Sequence, residues 1–200
     1  MEESLLTYLG LLDAELRELI QNIDDEKLKE AADLIIKAQM KKQRIHITGI
    51  GKPSHIAGYV AALLSSTGSP AYFLDATEAV HGSAGQVVSE DVVIAISNSG
   101  QTEELKNTML ALKKIGVRTI SITGNVNSWL AKNTDICLFA GVKEEGDCYN
   151  KPPRLSILAE LIVLQSLSII LQERNKLSLE DYYLWHPGGS LGKSLERKVI

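Results

Sequence analysis

Six residues, "SNSGQT" from Ser97 to Thr102, place three hydroxyls, two amides and a glycine directly after the apolar run "DVVIAI". Two carboxylates, Glu103 and Glu104, stand just behind them. If a helix begins at Thr102, its first backbone N–H groups and the positive end of its dipole face whatever lies beyond the strand. Ser97, Ser99 and Thr102 then add hydroxyls and Asn98 an amide around one anion, while Gly100 permits close backbone approach. An ordinary helix cap needs one hydroxyl; three after a buried strand read as a phosphate cradle built without arginine. Complementing the helix dipole accounts for at least one of the two acids. A carboxylate held beside a reacting carbon is a general base.

A second cluster, "GIGKPSHI" (Gly49–Ile56), follows another apolar run. It fails as a Walker-type loop, because no glycine stands at the required place before Gly51 and Pro53 replaces the magnesium-binding hydroxyl. As a dinucleotide fingerprint it keeps Gly49 and Gly51 but has Ser54 in the third position, and Asp75 lies at about the distance of a ribose contact. Nucleotide binding therefore stays open as an alternative. The simpler reading is a tight turn that carries Gly51, Lys52 and Ser54 over the same crevice as the hydroxyls. Glu144 and Glu145 follow a later strand-like run and are further candidates for a base. Of the four histidines, His46 and His55 read as packing or surface residues. His81 in "ATEAVHGSAG" and His186 in "HPGGSLG" sit among glycines, where a loop histidine makes hydrogen bonds. Cys137 and Cys148 have neither disulfide-framework nor metal-ligand spacing.

The elements that position these residues show in the periodicity. Leu5, Leu9, Leu12, Leu16 and Ile20 recur at helical spacing, and a second pattern runs from Leu28 to Ala38. Five β-branched runs then appear: "RIHITG", "AYFLD", "DVVIAIS", "RTISITG" and "DICLFAG". Helical stretches separate them at Ser54–Ser66, Thr102–Ile115 and Ser128–Lys132, and a long apolar helix covers Leu155–Glu173. This alternation predicts an α/β fold with a parallel five-stranded sheet covered on both faces. Its ligands belong outside the carboxyl ends of the strands, where "SNSGQT" and "GIGKPS" both fall. The expected organisation is one domain: N-terminal helices over residues 1–40, an α/β core over 44–174 and a tail over 175–200. "GVKEEGDCYNKPPR" and the tail are expected to be irregular. The net charge of −4 with mixed signs argues against nucleic acid or an anionic membrane as partner. No apolar run approaches the ~20 residues of a membrane span, and no signal peptide is evident. A cytoplasmic protein is expected.

Together the motifs resemble a known family. The segment from "GIGKPSHIAGYV" through "EAVHGSAGQ" to "ISNSGQTEE", followed by "HPGGSLG", is similar to the sugar isomerase (SIS) domain of bacterial D-arabinose 5-phosphate isomerases. "ISNSG" marks the broad SIS class, whereas "EAVHG" and "HPGGSLG" point to the arabinose 5-phosphate branch. The resemblance implies a flavodoxin-like three-layer αβα sandwich that interconverts D-ribulose 5-phosphate and D-arabinose 5-phosphate without a redox cofactor. It places phosphate-binding hydroxyls on Ser97, Ser99 and Thr102, and catalytic groups on Lys52, Glu104, Glu144 and His186. His81 matches a histidine of the second-strand loop. A homotetramer or homodimer with shared active sites is implied too.

The chain departs from the family at Pro53-Ser54 and, more widely, at "DCYNKPPRLS", where relatives carry a different sugar-site stretch. Many relatives also continue into CBS domains, which are absent from these 200 residues. The departures keep two alternatives open, a non-catalytic sugar-phosphate sensor and an isomerase of another phosphosugar. Arg154, unexpected at its position, is suited to a charge-assisted contact with phosphate or carboxylate.

Overall fold

The computed structural model describes residues 2–188, so the latter part of the "HPGGSLG" motif lies outside the described residues. Two helices, α1 (Glu3–Gln21) and α2 (Asp25–Met40), precede the sheet. Asp24 starts α2 by accepting a hydrogen bond from Lys27 N. The strands are β1 (Ile45–Gly49), β2 (Ala71–Phe73), β3 (Val92–Ile96), β4 (Arg118–Thr123) and β5 (Ile136–Phe139). All pair in parallel in the order β2-β1-β3-β4-β5. That order is the flavodoxin-like one, with its reversal between β1 and β3.

Between the strands run α3 (Lys52–Ser66), α4 (Ala76–Ala79), α5 (Glu103–Ile115) and α6 (Trp129–Lys132). After β5 come the long α7 (Leu155–Arg174) and the short α8 (Leu179–Leu184). β1 and β3 are buried at every position, as expected of central strands covered on both sides. On one face the core joins Ile45, Ile47, Ile94 and Ile122 to α2, α3 and α7. On the other, Val93 and Ala95 meet Leu105, Met109 and Leu130 from α5 and α6.

One expectation is corrected. The helix α7, 20 residues long, is apolar enough to cross a membrane by length and composition. Half of its most apolar window is buried within this fold, where it packs against α2 and α3. Ahead of the irregular residues 185–188, Ser178 Oγ accepts from Asp181 N and starts α8.

At the amino end of the sheet, the buried Asp91 accepts from Arg44 N at 2.8 Å and Val88 N at 2.9 Å, and lies 3.1 Å from His46 Nε2. His46, expected as a packing residue, is therefore a core histidine. Burial holds its imidazole below the usual histidine pKa, against the opposing pull of Asp91.

Candidate active site

The last residues of β1 and β3, Gly49 and Ile96, pair with each other at the point where strand order reverses. The two sequence clusters leave the sheet side by side there. Gly49 is held close on both sides: a Cβ on it would lie 2.9 Å from Pro53 C and 3.1 Å from Ile96 O. The turn after it is fixed by Gly51, at φ 67°, and by Ser54, whose Oγ donates to Gly51 O at 2.6 Å. Lys52 is the first residue of α3, exposed and without an ion pair among the described residues. Ser54 thus shapes the turn, and Lys52 stands free at its mouth.

The "SNSGQT" turn divides its hydroxyls between two tasks. Ser97 is buried; its Oγ accepts from Gly100 N at 3.1 Å and lies 3.4 Å from Thr102 Oγ1. Ser99 is exposed, and its Oγ accepts from Gln101 N at 3.2 Å, leaving the O–H to donate elsewhere. Asn98 is tied to the end of β4, its carbonyl accepting from Gly124 N at 3.0 Å and Thr123 Oγ1 at 3.1 Å. Thr102 is the N-cap of α5 but makes no side-chain capping bond. Neither α3 nor α5 is capped by a side chain, so two helix N-termini open at the β1–β3 crevice. Orphan N–H groups of this kind bind anions.

Gly100 is required by this turn. It sits at φ 62°, and a Cβ there would fall 2.2 Å from Ser128 Oγ. Gly100→Ala is expected to lower stability by roughly 1–3 kcal/mol from backbone strain alone. It should weaken inorganic phosphate binding in proportion to the distortion of the turn, as urea unfolding and calorimetric titration would read.

The acids separate by their partners. Glu103 pairs with Lys106 at 3.2 Å. Glu104 is exposed and has no side-chain partner among the described residues. Glu144 is likewise exposed, in a segment that is irregular, as expected, and tied down by hydrogen bonds. Lys143 N donates to the buried Glu15 of α1 at 2.9 Å, and Glu145 N donates to Asn150 Oδ1 at 2.6 Å. Arg154 meets a carboxylate, pairing with Asp147; that ion pair, with two backbone amides, holds the Asp147 carboxyl below the usual carboxylate range.

Glu145, Ser156 and Glu160 carry features that sequence reasoning missed. Glu145 is buried, and its Oε2 accepts from Arg154 N at 2.7 Å and Ser156 N at 3.1 Å, capping α7 from across the loop. Glu160, further along α7, has no exposed surface. The signal was present: an acid on the same helical face as Ser156, Ala159 and Val163 lies within an apolar stripe.

Asp75 and His186 are engaged elsewhere. Asp75 caps α4, its Oδ1 accepting from Thr77 N at 2.8 Å, Glu78 N at 3.1 Å and Thr77 Oγ1 at 2.6 Å. One oxygen of the acid that the nucleotide alternative invoked is thus committed to starting α4. His81 is exposed, just after α4. His186 lies at the other end of the molecule. α3 runs back from Lys52 to the amino end of the sheet, where Asn175 Nδ2 donates to Gly68 O at 3.0 Å. Trp185, next to His186, lies against Gly68 as well. His186 Nδ1 donates to Tyr182 O at 2.6 Å, and its ring stacks on Tyr182 at 4.1 Å. Within one chain, His186 is separated from Lys52 by about the length of α3, on the order of 20 Å.

Comparison with known proteins identifies relatives of the chain and of its fold. Arabinose 5-phosphate isomerase KdsD of Francisella tularensis is 37% identical over 188 residues, 94% of this chain and 58% of the relative. KdsD of Pseudomonas aeruginosa is 38% identical over 181 residues, 90% of this chain and 54% of the relative. The chain therefore spans little more than half the length of these curated relatives. A solved structure from E. coli CFT073, c3406 in complex with arabinose 5-phosphate, superposes with a TM-score of 0.80 at 36% identity, covering 94% of this chain and all of that one. Residues 40–170 match the SIS domain, and the chain belongs to the SIS-domain family.

Proposed function

We propose that this chain is an aldose–ketose isomerase of phosphosugars, acting between D-arabinose 5-phosphate and D-ribulose 5-phosphate. The observation that carries the reading is the paired, uncapped starts of α3 and α5 at the β1–β3 reversal, with Glu104 unpartnered beside them. The names of the similar isomerases and the sugar-phosphate complex of c3406 support it.

The substrate phosphate rests on the α5 N-terminus and on the hydroxyls of Ser99 and Thr102, with Ser97 holding the turn in shape. Asn98 and the Gly51–Ser54 turn line the same crevice, and His81 approaches from the second-strand loop. The anchored sugar presents adjacent carbons to a carboxylate, and effective concentration does much of the catalysis. Glu104 takes the carbon-bound proton, forming a cis-enediolate; Glu144 is the second candidate for that role. Lys52 faces the developing oxyanion, where a fixed positive charge acts on the transition state more than on the ground state. His186, supplied by another copy of the chain, moves protons between sugar oxygens. The reaction transfers a proton between carbons and needs no redox cofactor.

Sharing of this kind makes the enzyme a homodimer or homotetramer. An apolar groove between α3 and α7, lined by Tyr59, Leu63, Ile162 and Ile169, offers a face for such packing. The chain works as a single SIS domain in the cytoplasm.

The test is solvent deuterium exchange followed by NMR on a panel of ribulose 5-phosphate, arabinose 5-phosphate, fructose 6-phosphate and glucosamine 6-phosphate. Label entering next to the carbonyl, with arabinose and ribulose phosphates interconverting, is expected. Tight binding of the panel without exchange would replace the isomerase with a sugar-phosphate sensor, the reading favoured by the divergent stretch from Asp147 to Ser156.

A further inference from the structure

Glu160 is buried without trace of exposure, and neither of its carboxyl oxygens has a hydrogen-bond partner among the described residues. The hydroxyl of Ser156, one helical turn earlier on the same face, is also buried and unpartnered. Ser156 N in turn donates to the Glu145 carboxylate. Glu145, Ser156 and Glu160 therefore follow one another along the start of α7, with no hydrogen bond joining the Glu160 carboxyl or the Ser156 hydroxyl to the others among the described residues. That start lies at the carboxyl edge of the sheet, because α7 follows β5 through the segment 141–154.

A buried polar group left unpaired in a native core requires a reason. Apolar residues would fill this place with less cost, since the buried residues that α2 and α3 contribute are all apolar. β4 adds Ile120 and Ile122 to the same core. The other buried acids are Glu15 of α1, which accepts from Lys143 N, Glu145, and Asp91 at the amino end of the sheet.

We propose that Glu160 is a positioning residue for catalysis: its buried carboxyl, one turn beyond the Ser156 whose backbone amide Glu145 binds, acts by its charge on the Glu145 carboxylate that pins the segment 141–154 to α7, and so sets where Glu144 stands. Glu145 binds two amides of the α7 start and is adjacent in sequence to Glu144. A change in the charge beside Glu145 therefore reaches the crevice through one peptide unit. Burial, and secondarily the charge of Glu145, push the Glu160 carboxyl up to about 8. Below that pH the pair carries one negative charge, which suits the helix N-terminus it caps. Above it, two like charges share an apolar site, Glu145 loosens from the amides of Arg154 and Ser156, and Glu144 loses its place.

The activity readout rests on the isomerase reading, so the experiment includes one that does not. Amide hydrogen exchange at Arg154 and Ser156, corrected for intrinsic rates, is measured from pH 6 to 10 alongside kcat. In the unsubstituted protein, protection of these amides and kcat fall together as pH rises through the Glu160 range, by roughly tenfold per unit for a single titrating group. In E160Q, which keeps the size and cannot ionise, both falls disappear. E160M, which fills the site without a polar atom, reports the amide protection if the glutamine variant folds poorly. Amide protection with the same pH dependence in the unsubstituted and substituted proteins overturns the proposal. So does a loss of protection at high pH that leaves kcat unchanged. Absence of turnover in the unsubstituted protein would overturn the isomerase reading, while the amide data still decide the Glu145–Glu160 coupling.

Discussion

Glu104→Gln lowers kcat for aldose–ketose interconversion by about 10²- to 10⁴-fold, the range of a lost general base, and leaves phosphosugar affinity within a few-fold. The amide keeps the size of the carboxylate and the start of α5, so the loss is chemical. Glu103→Gln is the matched control one residue away. Its carboxylate is largely exposed and paired with Lys106, an interaction worth at most about 1 kcal/mol. Stopped-flow turnover with calorimetric binding of arabinose 5-phosphate separates the cases. A Glu104 variant with normal kcat, beside a Glu144→Gln variant without it, would move the base to the 141–154 segment. A variant that lost affinity alone would make Glu104 a binding residue.

The second large effect concerns the other end of the molecule. His186→Gln lowers kcat by at least 10²-fold, although His186 stands roughly 20 Å from Lys52 within its own chain. Two inactive variants then repair each other. Mixing Glu104→Gln and His186→Gln chains under exchange conditions gives mixed oligomers in which some crevices hold an intact Glu104 from one chain and an intact His186 from another. In a two-site dimer, random pairing restores about a quarter of full activity. No recovery after verified subunit exchange would show that His186 acts, if at all, within its own chain.

The sequence made the sheet legible because central parallel strands are apolar on both faces and therefore stand out as runs. "DVVIA" is buried throughout, as is "IHITG". The same runs mark the carboxyl ends of the strands, where a crevice is expected, while the strand order that places the reversal between β1 and β3 comes from the structure. What did not show was the division of labour among hydroxyls. Ser97 and Ser99 are two residues apart, yet one is inside the turn and the other outside, a difference set by Gly100 adopting a left-handed conformation. Nor did the polarity of "GVKEEGDCYNKPPR", irregular as expected, reveal which groups hold it in place. There the ordering partners come from far away, as with Glu15 and Lys143, or from backbone amides that composition does not display. Asp75 was misjudged for the opposite reason. Its spacing from Gly49 suited a ribose, but the nearest unsatisfied donors belonged to its own following helix.

The pairing of Gly49 with Ile96 has a consequence for how the protein folds. β1 emerges first, yet its place in the sheet is between β2 and β3, and the crevice exists only once β3 has docked beside it. Closing the intervening stretch of chain precedes any reward from that contact, which places the crevice among the later and slower features to form. On the proposed reading, a phosphosugar would recognise the finished sheet and no earlier species. Its binding would draw the folding equilibrium forward by mass action, by about 2.7 kcal/mol at a hundred times its Kd, and make the chain more persistent with substrate than in buffer alone.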